Sequence, residues 1–167
     1  MNNFLYCRMQ KSDKFRLIRE HIIDLGFRII NEDITRPWGG FFVIDESQSK
    51  DFIHQYFPGT QESSNKVSPK FLLVEPSKKL SWQYHHRRSE KWKVIEGRVG
   101  VSTSMTDNEN PPQILQEQEI IILKQGERHR LIGLDDWAVI AEIWIHTDPQ
   151  NPSDEEDIVR LQDDFGR

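Results

Sequence analysis

From Phe41 onward the apolar residues leave helical spacing and come in short runs rich in Val, Ile, Phe and Trp, separated by clusters of Gly, Pro, Asn and Asp. Branched and aromatic side chains suit a pleated surface, and the separators suit turns, so the runs read as strands. They fall at Phe41–Ile44, Phe71–Val74, Leu80–His85, Trp92–Glu96, Val99–Ser102, Ile120–Leu123, Arg130–Ile132 and Ala138–His146. Without helices alternating between them, these strands point to an all-β sandwich or barrel.

Ahead of the strands, Phe15, Ile18, Ile22 and Leu25 recur at three- and four-residue steps. This spacing predicts one N-terminal amphipathic helix over residues 12–26, with Ser12 or Asp13 as N-cap and Gly26 at its end. The barrel is expected over residues 36–147 and a tail over 148–167. The polar stretch Asp45–Pro69, with its Pro58-Gly59 turn signal and the apolar patch Phe52–Phe57, is expected to leave the barrel as a partly helical excursion and a candidate lid. The acidic run Asp154–Asp157 reads as a solvated face.

A chain of 167 residues suits a single domain, and none of its apolar runs is long enough to cross a bilayer. Met1–Asp13 lacks the pattern of a secretory signal, and Cys7 is the only cysteine, so a reducing cytoplasm is the expected location. The net charge of −5 is built from interspersed signs. That excludes a nucleic-acid surface and a membrane helix, and leaves a small molecule as partner.

The chemistry concentrates between Ser81 and Gly133. Gln83 and His85 stand two apart on a strand and share a face, while Tyr84 and His86 share the other. Glu90 follows a short basic turn and heads the next strand, which Gly97 closes. His129 follows the Gly126 turn and can bring a second imidazole. Two imidazoles, an amide oxygen and a carboxylate suit one divalent metal, and zinc, iron, nickel, cobalt and manganese all fit; the donor set does not choose among them. A histidine pair alone is usually a surface feature; this wider spacing singles the group out.

The spacing of Ser77, Gln83, His85, Glu90 and Gly97 resembles the first cupin motif, with Ser77 and Gln83 in place of its first glycine and first histidine. Gln118, Lys124, Gly126, His129 and Gly133 fall at the positions of the second motif. Four segments resemble the C-terminal cupin domain of type II mannose-6-phosphate isomerases: Arg36-Pro37-Trp38-Gly39, the run from Leu80 to Trp92, Gly126 with His129-Arg130, and the ending Asp157 to Arg167. Arg87, Lys91 and Trp144 depart from that family, which often has histidine, histidine and glutamine there.

The resemblance implies a double-stranded β-helix (jelly-roll) barrel holding one divalent metal through Gln83, His85, Glu90 and His129, with zinc the first expectation because Gln83-x-His85 also resembles the zinc site of the type I isomerases. The implied activity is interconversion of mannose 6-phosphate and fructose 6-phosphate. Glu142 matches a family glutamate and is the candidate base, with His86 and Lys93 behind it. A phosphate needs a cationic anchor, for which Arg130 and Arg88 are candidates, followed by Arg36, Arg160 and Arg167; Trp92 or Trp82 could stack on the sugar. A non-catalytic sugar-binding or regulatory cupin is the main alternative, and an iron-dependent oxygenase a third. Pairing of barrel edges would give a homodimer.

Overall fold

Helix α1 (Lys11–Asp24) buries Phe15 and Ile22. Its N-cap is Gln10, so Ser12 and Asp13 lie inside the first turn rather than capping it; Leu25, expected on the buried face, is exposed. Gly26 adopts a positive φ of 85° and ends the helix. The structure is a computed structural model describing residues 9–60 and 65–166. Cys7 and Arg167 lie outside the described residues.

Among the described residues eleven strands form two antiparallel sheets. The first sheet contains β1 (Ile29–Asp33), β2 (Gly39–Ile44), β3 (Val67–Val74), β5 (Arg88–Glu96), β8 (Ile120–Leu123) and β10 (Ala138–His146), in the order β1-β2-β3-β10-β5-β8. The second contains β4 (Trp82–Tyr84), β6 (Val99–Ser104), β7 (Gln113–Leu115), β9 (Arg128–Gly133) and β11 (Val159–Gln162), in the order β11-β4-β9-β6-β7. This is the jelly-roll arrangement of a cupin. β1, β7 and β11 were not among the expected strands: each is short, carries polar residues and stands at or near a sheet edge.

The strands of the first sheet separate two cores. Toward the second sheet, Leu72, Val74, Trp92, Val94 and Ile140 meet Val99, Val101 and Leu131. On the opposite face, Phe71, Leu73, Val139, Ala141 and Ile143 meet Phe15 and Ile22 of α1 together with Phe52, Tyr56 and Phe57. The last three belong to helix α2 (Ser49–Tyr56) and its end, inside the stretch expected to be an excursion. That expectation needs correcting. The segment is partly helical, but its aromatic side is a layer of the core, and Ser68 and Pro69 already belong to β3. Phe52 packs edge-on against Phe71 at 5.1 Å between centroids. None of the segment's described residues lines the cavity between the sheets. Among the described residues no helix is long and apolar enough to cross a membrane.

Candidate metal centre

Alternation on β5 sends Arg88, Glu90, Trp92 and Val94 inward, and Ser89, Lys91, Lys93 and Ile95 outward. On β10 the inward row is Ile140, Glu142 and Trp144, whose neighbours Ala141 and Ile143 face the helices. Register aligns Lys70, Glu142 and Trp92 across three strands, and Ser68, Trp144 and Glu90 beside them. From the second sheet, Gln83 stands opposite His129. A cavity of about 210 Å³ is lined by Lys70, Gln83, Arg88, Glu90, Glu142 and Trp144, among others.

Ligand atoms of His85, Glu90 and His129 lie within 4.8 Å of one another, and all three residues are buried. The Glu90 carboxylate is 3.3 Å from His85 Nε2 and 3.6 Å from His129 Nε2. Both imidazoles are oriented from behind. His85 Nδ1 donates to the Asp157 carbonyl at 2.6 Å, and His129 Nδ1 donates to the Glu127 carbonyl at 2.9 Å. Each Nε2 therefore carries a lone pair on the side of Glu90, the tautomer a metal-binding histidine needs. The buried Nε2 of His129 has no hydrogen-bond partner among the described residues. An orphaned buried acceptor beside a carboxylate and a second imidazole fits a divalent cation. Gln83 shares the cavity wall, with its Oε1 accepting from Ser81 at 2.5 Å.

The electrostatics agree with this arrangement. Burial pulls the His85 pKa down to about 3, with Glu90 opposing, and also lowers that of His129. Both rings are neutral at neutral pH. Burial opposes ionisation of Glu90, but His85, Arg88 and His129 outweigh it and hold its pKa at about 2. At neutral pH, where the imidazoles are neutral, the Arg88 guanidinium is the positive charge beside Glu90; it donates to Glu90 at 2.7 Å and lies 3.1 Å from His85 Nε2. Burial first, then the Glu90 charge, pushes Glu142 up to about 8. Trp92 Nε1 bridges the two carboxyl groups, at 3.1 Å from Glu90 and 2.9 Å from Glu142.

The remaining candidates scatter. His86 is exposed beside Tyr84, and Lys93 lies on the outward row of β5, so neither joins the cavity. Arg130 neighbours His129 on a strand and so points to the opposite face, where it donates to Glu109 at 2.8 Å and to the Gln162 carbonyl at 3.1 Å. Trp82 shares that outer face and donates to the Asp107 carbonyl. Arg36 and Arg160 line the cavity.

Two participants were missed. Lys70 is buried at the cavity wall; alternation through Ser68, Lys70 and Leu72 would have revealed it had the strand been started before Phe71. Asp157 is buried as well, which corrects the reading of its acidic run as a solvated face. Its carboxylate accepts from the backbone N–H groups of His86 and Arg87 and from Ser153, while its carbonyl holds His85.

The family model described as Mannose-6-phosphate isomerase C-terminal matches residues 28–163. The chain belongs to this family. Mannose-1-phosphate guanylyltransferase ManC of Salmonella typhimurium is 26% identical over 138 residues, covering 83% of this chain and 24% of that protein. Alginate biosynthesis protein AlgA of Pseudomonas aeruginosa is 26% identical over 135 residues, with coverage of 81% and 23%. The chain thus spans about a quarter of the length of these relatives. Among solved structures, a variant of Bacillus subtilis oxalate decarboxylase OxdC superposes with a TM-score of 0.57 at 11% identity, covering 78% of this chain and 30% of that one. Capsular polysaccharide assembling protein CapF of Staphylococcus aureus gives 0.53 at 16%, covering 79% and 34%. These likenesses support the cupin fold.

Proposed function

We propose that this domain is a metal-dependent aldose-ketose isomerase acting on a sugar phosphate, with mannose 6-phosphate and fructose 6-phosphate as the first pair to test. The observation that carries the reading is Glu142, a buried carboxyl with a pKa of about 8 that lines the same cavity as Glu90, the carboxylate shared by the buried imidazoles of His85 and His129. Isomerisation moves a proton between adjacent carbons, so one group must both accept and return it. A carboxyl poised near working pH is suited to both.

A divalent ion held by His85, Glu90 and His129, with Gln83 beside them, would polarise the carbonyl and hydroxyl oxygens of the open-chain sugar. Glu142 takes the proton from C2 of the aldose on a carboxylate oxygen and delivers it to C1, while the hydroxyl proton passes from O2 to O1. Trp92 steadies the Glu142 carboxyl through its N–H bond to Oε1. Arg88 compensates the charge of Glu90. Asp157 and Glu127 keep the two imidazoles in register through their carbonyls.

A second reading, sugar binding without turnover, is favoured by one contact. The Arg88 guanidinium already engages His85 Nε2 and Glu90, the atoms a metal would use. One experiment separates the two: a phosphosugar panel assayed with metal-replete protein in deuterated water. Chelator-sensitive turnover with deuterium at the exchanging carbon supports the isomerase. Neither turnover nor exchange with any member of the panel overturns it in favour of the binding protein.

A further inference from the structure

We propose that Lys70 is the anchor for an anionic group of the ligand, and that Glu155 is the internal carboxylate which this group displaces. The proposal deepens the phosphosugar reading and rests on it for the ligand class.

Lys70 stands beside Glu142 in the register of the first sheet, and its side chain is only 5% exposed. Its ammonium lies 3.5 Å from the Trp144 ring and 5.0 Å from that of Phe41. A cation so far from water needs an anion. The carboxyl groups deeper in the cavity are engaged elsewhere: Glu90 by Arg88, and Glu142 by Trp92. Glu155 supplies the missing charge in an ion pair, reaching in from the C-terminal tail with 55% of its own side chain in solvent. One partner is fixed in the wall and the other is mostly in water.

Exchange at this point is local. The tail is pinned two residues further on by Asp157, whose carboxylate takes two backbone N–H groups and the Ser153 hydroxyl. The Glu155 side chain can therefore swing out without releasing His85. Glu155 and Glu156 form part of the cavity wall, and the volume of about 210 Å³ falls below the roughly 300 Å³ at which ligand pockets usually begin. Displacing Glu155 opens the space and frees the ammonium together. An incoming phosphate offers the same kind of oxygen with more charge, so Lys70 is never left uncompensated. The buried Trp144 N–H, without an acceptor among the described residues, adds a second donor in the same wall.

Calorimetric titration of the protein with inorganic phosphate and with mannose 6-phosphate, using mannose as the uncharged control, tests this. Glu155→Gln should bind both anions more tightly than wild type, by roughly three- to tenfold, the range expected from releasing a half-exposed ion pair. Lys70→Met should weaken both by roughly tenfold or more, and Lys70→Arg should retain binding. Glu156→Gln makes the same change in net charge at the next residue and should have a smaller effect. Equal tightening by Glu156→Gln, or none by Glu155→Gln, overturns the proposal. If Lys70→Met does not fold, the two glutamine variants decide alone. Anion binding that follows this pattern without turnover would sink the isomerase and leave the anchor standing.

Discussion

Arg130 is a buried guanidinium on the outer face of the second sheet, tied to Glu109 and to the Gln162 carbonyl. Arg130→Ala should cost about 1–3 kcal/mol in denaturant unfolding, through lost hydrogen bonds and packing. Phosphosugar affinity should stay unchanged, because the side chain points away from the cavity. Glu142 carries the opposite expectation. Glu142→Gln keeps the shape and removes the base, so turnover should fall by roughly a hundredfold or more while metal content holds. Its ionisation also ties stability to pH in chelator-treated protein. The folded pKa of about 8 lies above the ordinary 4.5, so the contribution of the protonated carboxyl is fully present below about 4.5 and is lost as pH rises through about 8. His85 and His129 act in reverse: their depressed values give a contribution present above about 6.5 and lost as pH falls. In the difference between wild type and Glu142→Gln the histidines cancel. Wild type should therefore lose about 2 kcal/mol or more relative to the variant between about pH 5 and pH 9. A flat difference would show that Glu142 titrates normally.

Among the elements, α2 is the clearest case of sequence hiding structure. Its residues sit in a polar stretch without strand alternation, yet Phe52, Tyr56 and Phe57 cover the helix-facing side of the first sheet. The signal was an apolar patch too short to show its period. Phe52→Ala should cost about 3–5 kcal/mol by equilibrium unfolding, and excision between Ser47 and Lys66 should abolish the cooperative transition. The central strands were legible because Phe71–Val74 of β3 and most of β10 are apolar residues buried on both faces, whereas the marginal strands are short and polar and gain their order from a neighbour's ladder. The turns tell a finer story. Ser77 and Gln118 stand where the resembled motifs have glycine, and both adopt positive φ, 61° and 72°. The backbone geometry persists without the residue that favours it. Ser77→Gly and Gln118→Gly should each raise stability by about 0.5–1 kcal/mol, since relieved left-handed strain slightly exceeds the added freedom of the unfolded chain.

At the scale of the molecule, one sheet serves two cores, and the site sits where the inner core gives way to polar side chains at one end of the sandwich. Strand alternation was enough to place Gln83, His85 and Glu90 on inward faces, because a single strand or hairpin carries each step. Roles that depend on contacts across the fold were not legible. Lys70 meets Glu155 across 85 positions and His85 meets Asp157 across 72, separations that no local period encodes. The central claim is that the buried triad holds a divalent ion, and the most direct measurement is elemental analysis of purified wild type beside the double variant His85→Ala, His129→Ala, both reloaded after chelation. Wild type should carry about one divalent ion per chain and the double variant essentially none, with both folded by circular dichroism. Equal metal content in the two folded proteins would contradict the account.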